Sequence, residues 1–348
     1  MKIAIIGAGI AGLVAGRELT RAGHEVIVIE KGRKPGGRLS TVRLGDDGPL
    51  ADNGVSWITA NRPDFRPFAS DLIDRDLLDV WGDHIDYYDG EQLLPERPPF
   101  LAGTLYAAPG GSASIAGELS RWVDVEEGER AIGLTFIGAN RRKKRAWMVN
   151  LASSRTIEAD AVVVATPAPE AYGILLTTQD EIDVFKMIRE IDSIHYEASI
   201  ALSVQTELST LPDWEAVICQ DSIIREITHE GSKRPGSNGT FTVLSSDPFA
   251  REHRTRPIEE VRQTLWDRVS VLTGLPRVEP IQSSMTYWPF HKPKSVLDVP
   301  YLEHEKVDAP LAIVGDYFEG NDTESSFCSG LALAKKWIGQ FEKVGQPA

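Results

Sequence analysis

The sequence has few cysteines, no excess of basic residues and no long apolar run. Among 348 residues there are two cysteines, Cys219 and Cys328, with no C-x-x-C spacing. The sequence therefore predicts no disulfide framework, and it predicts a reducing, cytoplasmic location. The formal net charge of −14 argues against nucleic acid or an anionic membrane surface as a partner. No stretch approaches the length needed to span a membrane.

The sequence also contains few residue patterns that indicate catalysis or metal binding by side chains. There is no Ser-His-Asp set, no pair of carboxylates at a useful spacing and no cluster that predicts a metal site. The histidines are scattered, and His195, His229 and His291 are predicted to be structural or surface residues rather than acid–base groups. No residue is therefore predicted with certainty as a catalytic acid, base or nucleophile.

The N-terminal residues predict a strand, a glycine turn, a helix and a second strand. The apolar run 3–6 leads into Gly7, Gly9 and Gly12, and a second apolar strand ends at Glu30. The first glycine permits a tight turn, the second lets the backbone approach a pyrophosphate, and the third lets the helix pack on the strand. The helix start offers free N–H groups to phosphates, and the acid is placed to hold ribose hydroxyls. The pattern predicts a dinucleotide site in which a 2′-phosphate, and hence NADP, is disfavoured.

The rest of the chain predicts two interleaved domains. Residues 161–165 are typical of a strand buried on both faces of a parallel sheet. The basic run 141–145 is predicted to be a solvated hairpin tip. The predicted cofactor domain comprises residues 1–61, 105–170 and 306–348, and the predicted substrate domain comprises residues 62–104 and 171–305.

Further features favour FAD over NAD as the dinucleotide. Gly16 keeps the helix close to the sheet for another turn, and Gly37 with Arg38 lets backbone and guanidinium reach a pyrophosphate. Asp316, after a late buried strand, is placed to accept hydrogen bonds from ribityl hydroxyls. A last helix, predicted to begin near Ser325, would direct its positive end at the flavin. No tether for a covalent link is evident, so non-covalent FAD is predicted.

In this order and spacing these features resemble the FAD-binding family that includes glutathione reductase and the amine oxidases. Several stretches more specifically resemble the renalases, small flavoproteins of the flavin amine oxidase superfamily. The stretches are residues 36–41, 52–59, 232–236, 288–293 and 324–334. The resemblance implies an α/β fold in which an FAD-binding Rossmann-like domain of the glutathione-reductase or amine-oxidase type carries an inserted α+β substrate domain.

The motifs and the resemblance together predict the site residues. The predicted cofactor-binding residues are Gly7, Gly9, Ala11, Gly12, Glu30, Gly37, Arg38, Ser56, Trp57, Asp316 and Ser326. The resemblance implies that Ser56 and Trp57, where renalases usually have Gln-Tyr, lie at the isoalloxazine ring, with the backbone near Ser326 at its O2 edge. The candidate substrate-pocket residues are Trp57, Trp288, Phe290 and Arg225. Arg225 and Lys233 are placed either to meet an anionic substrate group or to be solvated loop charges.

The resemblance implies an FAD-dependent oxidoreductase. Renalases oxidise isomeric dihydronicotinamides, whose hydride is already activated, so no strong protein base is needed. The small donor would reduce flavin N5, and dioxygen would reoxidise the flavin and yield hydrogen peroxide. Amines are an alternative donor, although residues 321–323 lack the aromatic that amine oxidases normally place before the final helix. A dehydrogenase that passes electrons to a quinone or carrier, and a structural or sensory flavoprotein, also remain open.

Overall fold

The computed structural model describes residues 1–98, 100–138, 145–178, 184–304 and 309–344. The strands are β1 Lys2–Ile6, β2 Glu25–Glu30, β3 Thr41–Arg43, β4 Leu50–Asp52, β5 Asp79–Trp81, β6 Ile85–Tyr88, β7 Leu93–Leu94, β8 Leu105–Ala107, β9 Asp124–Glu127, β10 Ala131–Phe136, β11 Trp147–Leu151, β12 Thr156–Ala159, β13 Ala161–Val164, β14 Tyr196–Gln205, β15 Ala216–Cys219, β16 Ile224–His229, β17 Thr240–Ser245, β18 Gln282–Pro293, β19 Leu302–Glu303 and β20 Leu311–Ile313. The helices are α1 Ile10–Arg21, α2 Arg66–Asp74, α3 Ala113–Ser120, α4 Ala168–Leu175, α5 Phe185–Asp192, α6 Asp247–His253, α7 Ile258–Thr273 and α8 Thr323–Val344. Most of the basic run predicted as a hairpin tip, residues 141–144, lies outside the described residues.

Two compact units alternate along the chain. Unit 1 comprises Met1–Gly37, Ala116–His195 and Pro293–Ala348, and unit 2 comprises Arg38–Ile115 and Tyr196–Lys292. These limits differ from the predicted domain limits, because residues 38–61 fall in unit 2 and residues 171–195 fall in unit 1. The predicted division into a cofactor domain and a substrate domain stays a prediction.

Unit 1 is built on a mainly parallel sheet with the strand order β19-β20-β13-β1-β2-β9. Strand β1 runs parallel to both β2 and β13, and Ile5 lies beside Val28 on one side and Val163 on the other. β-Branched residues suit such a strand, and burial of each contributes roughly 1.5–3 kcal/mol. The predicted strand at residues 161–165 is confirmed, since all four residues of β13 are buried.

Helix α1 packs against helix α8 in unit 1 at unusually close range. A Cβ added to Gly330 of α8 would lie 2.2 Å from the carbonyl oxygen of Ala11 on α1. A Cβ on Gly16 would meet Val123 Cγ1 at 2.9 Å, which agrees with the prediction that this glycine keeps α1 close to its neighbours. The helix that carries the glycine turn is therefore held by backbone-to-backbone packing.

Unit 2 contains a mixed sheet with the strand order β18-β14-β17-β16-β15-β6-β7. One face is an apolar core, where Val217, Ile227 and Val243 pack with Leu265 and Trp266 of α7. The alternating residues of β16 and β17 point the other way and are polar but buried, as at positions 226, 228 and 242. Glu226, described below, lies on this second face. Across the part of the chain that the structure describes, no helix is both long and apolar enough to cross a bilayer.

Candidate cofactor and substrate sites

The glycine turn of unit 1 leaves the start of helix α1 without a side-chain cap. Gly7 has φ +106°, a conformation that favours glycine, and its N–H donates to the carbonyl of Ile29 at 2.8 Å. Gly9 is the N-cap residue, and the first turn of α1 contains no acidic side chain. A Cβ on Gly9 would meet no atom within 4 Å, so the space in front of the turn is open. Unsatisfied N–H groups and a positive dipole end therefore face an accessible position.

The third glycine of the motif serves packing, as predicted. A Cβ on Gly12 would lie 2.1 Å from the carbonyl oxygen of Gly7 and 3.0 Å from Cβ of Ala165. No side chain can be accommodated between these groups because one of them is backbone. Gly12 thus lets the helix approach both the turn and the end of β13.

Glu30 is held against the same turn by both of its carboxylate oxygens. Oε2 accepts a hydrogen bond from the N–H of Ala8 at 2.9 Å, and Oε1 accepts one from the N–H of Gly32 at 2.6 Å. Glu30 is 8% exposed, and no basic side chain among the described residues forms an ion pair with it. A carboxylate has about four lone-pair positions, so this one can still accept hydroxyl donors.

A second glycine stretch lies against the first in unit 1. The N–H of Gly36 donates to the carbonyl of Ala8 at 2.8 Å, and Gly37 has φ +57°. A Cβ on Gly37 would lie 3.5 Å from Cα of Gly9, so this surface is almost entirely backbone. The sequence separates the two stretches by more than 20 residues, and the fold brings them together.

The start of helix α8 differs from the predicted one. The helix begins at Thr323, and Asp322 caps it, because its Oδ1 accepts a hydrogen bond from the N–H of Ser325 at 2.7 Å. The N–H of Ser326 donates to the carbonyl of Asp322 at 3.1 Å. The Asp322 carboxylate adds negative charge at this end, so it offsets part of the dipole that was expected to act on a flavin. Asp316, also in unit 1, is 6% exposed.

In unit 2, strand β18 fixes the segment that carries Ser56 and Trp57. The indole Nε1 of Trp288 donates to the carbonyl of Asn53 at 2.6 Å. The Asn53 side-chain amide in turn donates to Oγ1 of Thr286 at 2.9 Å. Trp288 is half-buried, so it anchors this segment and still presents part of its ring to solvent.

Arg38 contacts the end of the same strand. Its Nη1 donates to the carbonyls of His291 at 3.0 Å and Phe290 at 3.3 Å, and its guanidinium lies over the ring of Tyr196. Phe290 meets the same tyrosine ring edge-on, with centroids 5.7 Å apart. Within unit 2, therefore, Arg38 and Phe290 belong to one cluster. The predicted role of Arg38 as a pyrophosphate ligand stays a prediction.

Arg225 and His291 form a second contact in unit 2. Nη1 of Arg225 lies 3.3 Å from Nδ1 of His291, and Arg225 also pairs with Glu197 at 3.6 Å. A guanidinium can only donate, so Nδ1 accepts and the ring proton is on Nε2, which lies 3.4 Å from the carbonyl of Gly54. Burial, together with Arg225 and Arg38, holds the pKa of His291 well below its usual value. His291 is thus a neutral structural residue with both nitrogens engaged.

Trp57 stacks on a second tryptophan. The rings of Trp57 and Trp81 have centroids 5.9 Å apart and are inclined by 29°. Nε1 of Trp81 donates to Oγ of Ser232 at 2.8 Å, so the stack is tied to the loop at residues 232–236. One face of the Trp57 ring is therefore covered by Trp81 within unit 2.

The interpretation of Lys233 as a solvated loop charge is wrong. Its side chain is fully buried, with Nζ 2.9 Å from Glu230 Oε1 and 3.4 Å from Asp52 Oδ2. Arg234 is buried beside it, with Nη2 2.5 Å from Asp52 Oδ2 and Nη1 3.3 Å from Glu230 Oε2. We call these four residues the buried quartet. Since Lys233 has two carboxylate partners, it is not available to a substrate.

Asp52 also accepts hydrogen bonds from two residues outside the buried quartet. Oδ1 of Asp52 accepts hydrogen bonds from Thr41 Oγ1 at 2.7 Å and from the N–H of Ser112 at 2.8 Å. Burial raises the pKa of a carboxyl, but Lys233 and Arg234 hold the pKa of Asp52 below its usual value. Burial raises the pKa of Glu230. Asp52, which lies just before the segment that carries Trp57, is therefore held in place by ion pairs and hydrogen bonds.

Sequence reasoning missed Glu226, which lies on the polar face of the unit 2 sheet. It is 8% exposed, and its Oε1 accepts a short hydrogen bond from the hydroxyl of Ser56. Strand β16 was not predicted, because its residues lack a simple alternation of apolar and polar side chains. The local signal that the sequence offered was the pair of polar residues at 226 and 228, spaced as on one face of a strand.

An open groove elsewhere in unit 2 contains none of the predicted site residues. It encloses about 430 Å³ and is lined by Asp83, Asp86, Asp213 and the C-terminal end of helix α7. Because its lining includes none of the predicted site residues, the groove is separate from the candidate site.

Comparison with known protein families identifies the fold. Residues 5–72 match the profile of the NAD(P)-binding Rossmann-like domain, and residues 86–292 match the profile of the flavin containing amine oxidoreductases. The second match covers more than half of the chain. The chain belongs to the flavin-containing amine oxidoreductase family. The expected superfamily and the α/β fold class are thereby confirmed, and membership implies a flavin cofactor.

The amine oxidoreductase also has curated relatives. It is 37% identical over 92 residues to an L-amino-acid oxidase of Siganus canaliculatus, a match that covers 26% of this chain and 18% of the relative. It is 53% identical over 59 residues to the flavin-dependent L-tryptophan oxidase RebO of Lentzea aerocolonigenes, which covers 16% of this chain and 12% of the relative. The matches thus span less than a fifth of either relative.

Solved structures agree on the fold along the whole amine oxidoreductase chain. A double mutant of putrescine oxidase matches with a TM-score of 0.71 at 14% identity, and 98% of this chain and 99% of that chain are covered. An oxidoreductase from Methanosarcina mazei matches with a TM-score of 0.68 at 14% identity, covering 97% of this chain and 100% of that chain. At such identities the likeness concerns the fold alone.

The residues of unit 1 fit a flavin dinucleotide. The uncapped start of α1 and the open space at Gly9 suit a diphosphate, and Gly37 presents backbone beside them. The Glu30 carboxylate has no cationic partner among the described residues and suits ribose hydroxyls. The turn and the acid therefore match the diphosphate and the ribose of an adenosine diphosphate group.

Proposed function

We propose that this amine oxidoreductase binds FAD without a covalent link and oxidises a small organic donor. The observation that carries the proposal is the pairing in unit 1 of an uncapped glycine turn with a buried, cation-free carboxylate at Glu30. The residues proposed to hold the cofactor are Gly7, Gly9, Ala11, Gly12, Glu30, Gly37, Arg38, Ser56, Trp57, Asp316 and Ser326. FAD supplies a hydride acceptor at N5, and the protein supplies binding, orientation and electrostatics.

The donor-binding residues are proposed to come from unit 2. Trp57, Trp288 and Phe290 provide apolar surface, and Arg225, which pairs with Glu197, provides a guanidinium that contacts His291 beside Phe290. No acid–base residue is assigned, which agrees with the neutral state and two occupied nitrogens of His291. Such a site suits a donor that transfers hydride without prior removal of a proton by a strong base.

Two donor classes follow from different observations. The stretches at residues 36–41, 52–59 and 324–334 that resemble renalases favour an isomeric dihydronicotinamide. The family profile over residues 86–292, which includes β16 and β18, favours an amine. We propose dioxygen as the acceptor and a cytoplasmic location; electron transfer to a quinone or carrier is the alternative.

The first test is the absorption spectrum of the purified protein. A yellow protein that releases unmodified FAD on acid precipitation supports non-covalent FAD, and a colourless protein that takes up no FAD would overturn the proposal. Anaerobic mixing with a 2- or 6-dihydronicotinamide nucleotide, or with an amine, should bleach the flavin. Air should then restore the colour and yield hydrogen peroxide; restoration by a quinone alone would make the enzyme a dehydrogenase. A flavin that no donor bleaches would favour a structural or sensory role.

A further inference from the structure

Trp81, at the end of strand β5 in unit 2, is a buried indole whose position is fixed by several contacts. It is 6% exposed and packs in a small apolar cluster with Ile85 and Leu105. Its Nε1 donates to Oγ of Ser232 at 2.8 Å, and that hydroxyl donates to the carbonyl of His229 at 2.7 Å. The tilt of the indole is therefore set by a chain of hydrogen bonds that ends on the backbone of β16.

A buried ammonium group holds the same ring. Nζ of Lys233 lies 5.3 Å from the centroid of the Trp81 ring, and the lysine side chain is fully buried. Asp52 and Glu230 hold this ammonium in place. A cation within about 6 Å of an indole is attracted to the face of the ring, and more strongly where water is excluded. The buried quartet therefore has a contact beyond its own ion pairs, and that contact is with Trp81.

Trp57 is held differently, because its backbone is fixed by hydrogen bonds and its ring is not. On one side of it the hydroxyl of Ser56 is bonded to β16, and on the other Ile58 exchanges two backbone hydrogen bonds of 2.8 Å with Tyr106. The half-buried Trp57 ring forms no hydrogen bond with any residue that the structure describes. It stacks on Trp81, with centroids 5.9 Å apart. Rotation of the ring about its side-chain dihedrals is therefore limited by Trp81 and the small cluster around it.

We propose that Trp81 is a positioning residue: it fixes the plane of the Trp57 ring, and Lys233 helps to fix Trp81. This inference rests on the proposed function, in which Trp57 contacts the donor and the flavin. Since Trp81 covers one face of Trp57, the donor meets the remaining surface of a ring that is held in one orientation. Hydride transfer needs the reacting atoms about 3–3.5 Å apart, and a displacement of about 1 Å can cost about 100-fold in rate. A Trp57 ring that is free to turn would therefore slow hydride transfer more than it weakens donor binding.

The first measurement is the far-ultraviolet circular dichroism of the flavin-loaded protein. Two stacked indoles couple their transitions and give a pair of bands of opposite sign. This pair should be lost in Trp57→Phe and in Trp81→Phe and kept in Trp266→Phe. Trp266 is a matched control, because it is 3% exposed and its Nε1 donates one hydrogen bond, to the carbonyl of Val278 at 2.7 Å. A pair of bands that survives in Trp81→Phe would overturn the proposal.

Anaerobic flavin bleaching then tests the role of Trp81 in the reaction, with the dihydronicotinamide nucleotide or amine that bleaches the wild type as the donor. Trp81→Leu should lower the rate at saturating donor about 10- to 100-fold and change the half-saturating donor concentration less than about 3-fold. In a Trp57→Leu background the same change should have no further effect, because Trp81 acts through Trp57. Independent losses from the two substitutions would contradict the positioning role.

If Trp81→Leu does not fold, Trp81→Phe is compared with Trp266→Phe, since each loses one buried indole donor. Trp81→Phe should bleach about 3- to 10-fold more slowly, because its ring loses the bond to Ser232 that sets its tilt, and equal rates would reject the proposal. Flavin content is measured first. A colourless wild type, or one that no donor bleaches, rejects the proposed function. A flavin-containing Trp81→Leu that is bleached at the wild-type rate rejects the positioning role alone.

Discussion

The indole N–H of Trp288 and the carbonyl oxygen of Asn53 lie 2.6 Å apart and join strand β18 to the segment before Ser56. Trp288→Phe keeps an aromatic ring and removes the donor. We expect the free energy of unfolding to fall by about 1–2 kcal/mol, because the Asn53 carbonyl loses its partner. Anaerobic flavin bleaching should slow while flavin content stays unchanged. Wild-type bleaching rates in this variant would assign Trp288 to structure alone.

Glu25 and Glu30, at the two ends of strand β2, allow a matched comparison of FAD occupancy. Glu30→Ala removes the acceptor of two backbone N–H groups at the glycine turn, so we expect lower FAD occupancy and a stability loss of about 2 kcal/mol or more. Glu25→Ala, at the exposed start of β2, should leave occupancy unchanged. Absorbance of flavin per protein after dialysis measures the effect. Equal occupancy in both variants would mean that the adenosine end is not at this turn.

We expect the same substitution to have opposite effects on stability at two glycines of helix α8. Gly330→Ala places a methyl group 2.2 Å from the carbonyl oxygen of Ala11, so the two helices must separate and the thermal midpoint should fall steeply. Gly339→Ala meets no atom within 4 Å and should gain up to about 1 kcal/mol from helix propensity. Differential scanning calorimetry distinguishes the two. A tolerated Gly330→Ala would contradict the close helix packing.

Removing a single charge from the buried quartet should lower the free energy of unfolding more than removing one charge of each sign. Lys233→Met leaves buried carboxylate charge uncompensated, and we expect a loss of about 3–5 kcal/mol in the free energy of unfolding. The double variant Lys233→Met, Glu230→Gln removes one charge of each sign and should recover much of that loss. Arg277→Met, which breaks an exposed pair with Asp267, should cost about 1 kcal/mol or less. Urea denaturation gives all three values.

We expect His229 and His291 to make the stability of the protein sensitive to acid. Burial lowers the pKa of His229 to about 4, and the pKa of His291 is lowered in the same direction. The unfolded chain takes up these protons near pH 6.5 and the folded chain only at lower pH, so stability is full above that value and falls as the pH falls. For His229 the loss by pH 4 is about 3 kcal/mol.

His229→Phe should flatten this profile, because the ring stacks on Phe241 and its Nε2 is buried without a partner in the described residues. Exposed His195→Gln serves as the control. Chemical denaturation at several pH values between 4 and 7 measures the slope. An unchanged slope in His229→Phe would contradict its assignment as a neutral core histidine.

The first 30 residues were predictable because local rules govern them. The apolar strand, the three glycines and the acid at position 30 each follow from backbone freedom and periodicity, and the structure places β1, α1 and β2 where the pattern indicates. Long-range polar pairing was not predictable. Asp52 and Lys233 are 181 residues apart in sequence, and no local signal states that they share a buried site. Glu226 was missed for the same reason, since its partner Ser56 is 170 residues away in the sequence.

The alternation of the two units has a consequence for biosynthesis. Every residue of unit 2 has been synthesised once position 292 is added, whereas the sheet of unit 1 still needs β20, and α1 still needs α8. Chains emerge at about 5–20 residues per second, so β1 and the glycine turn wait through most of translation for their last neighbours. We expect unit 2 to acquire protease resistance first on stalled ribosomes, and the turn to gain its final shape only after α8 docks.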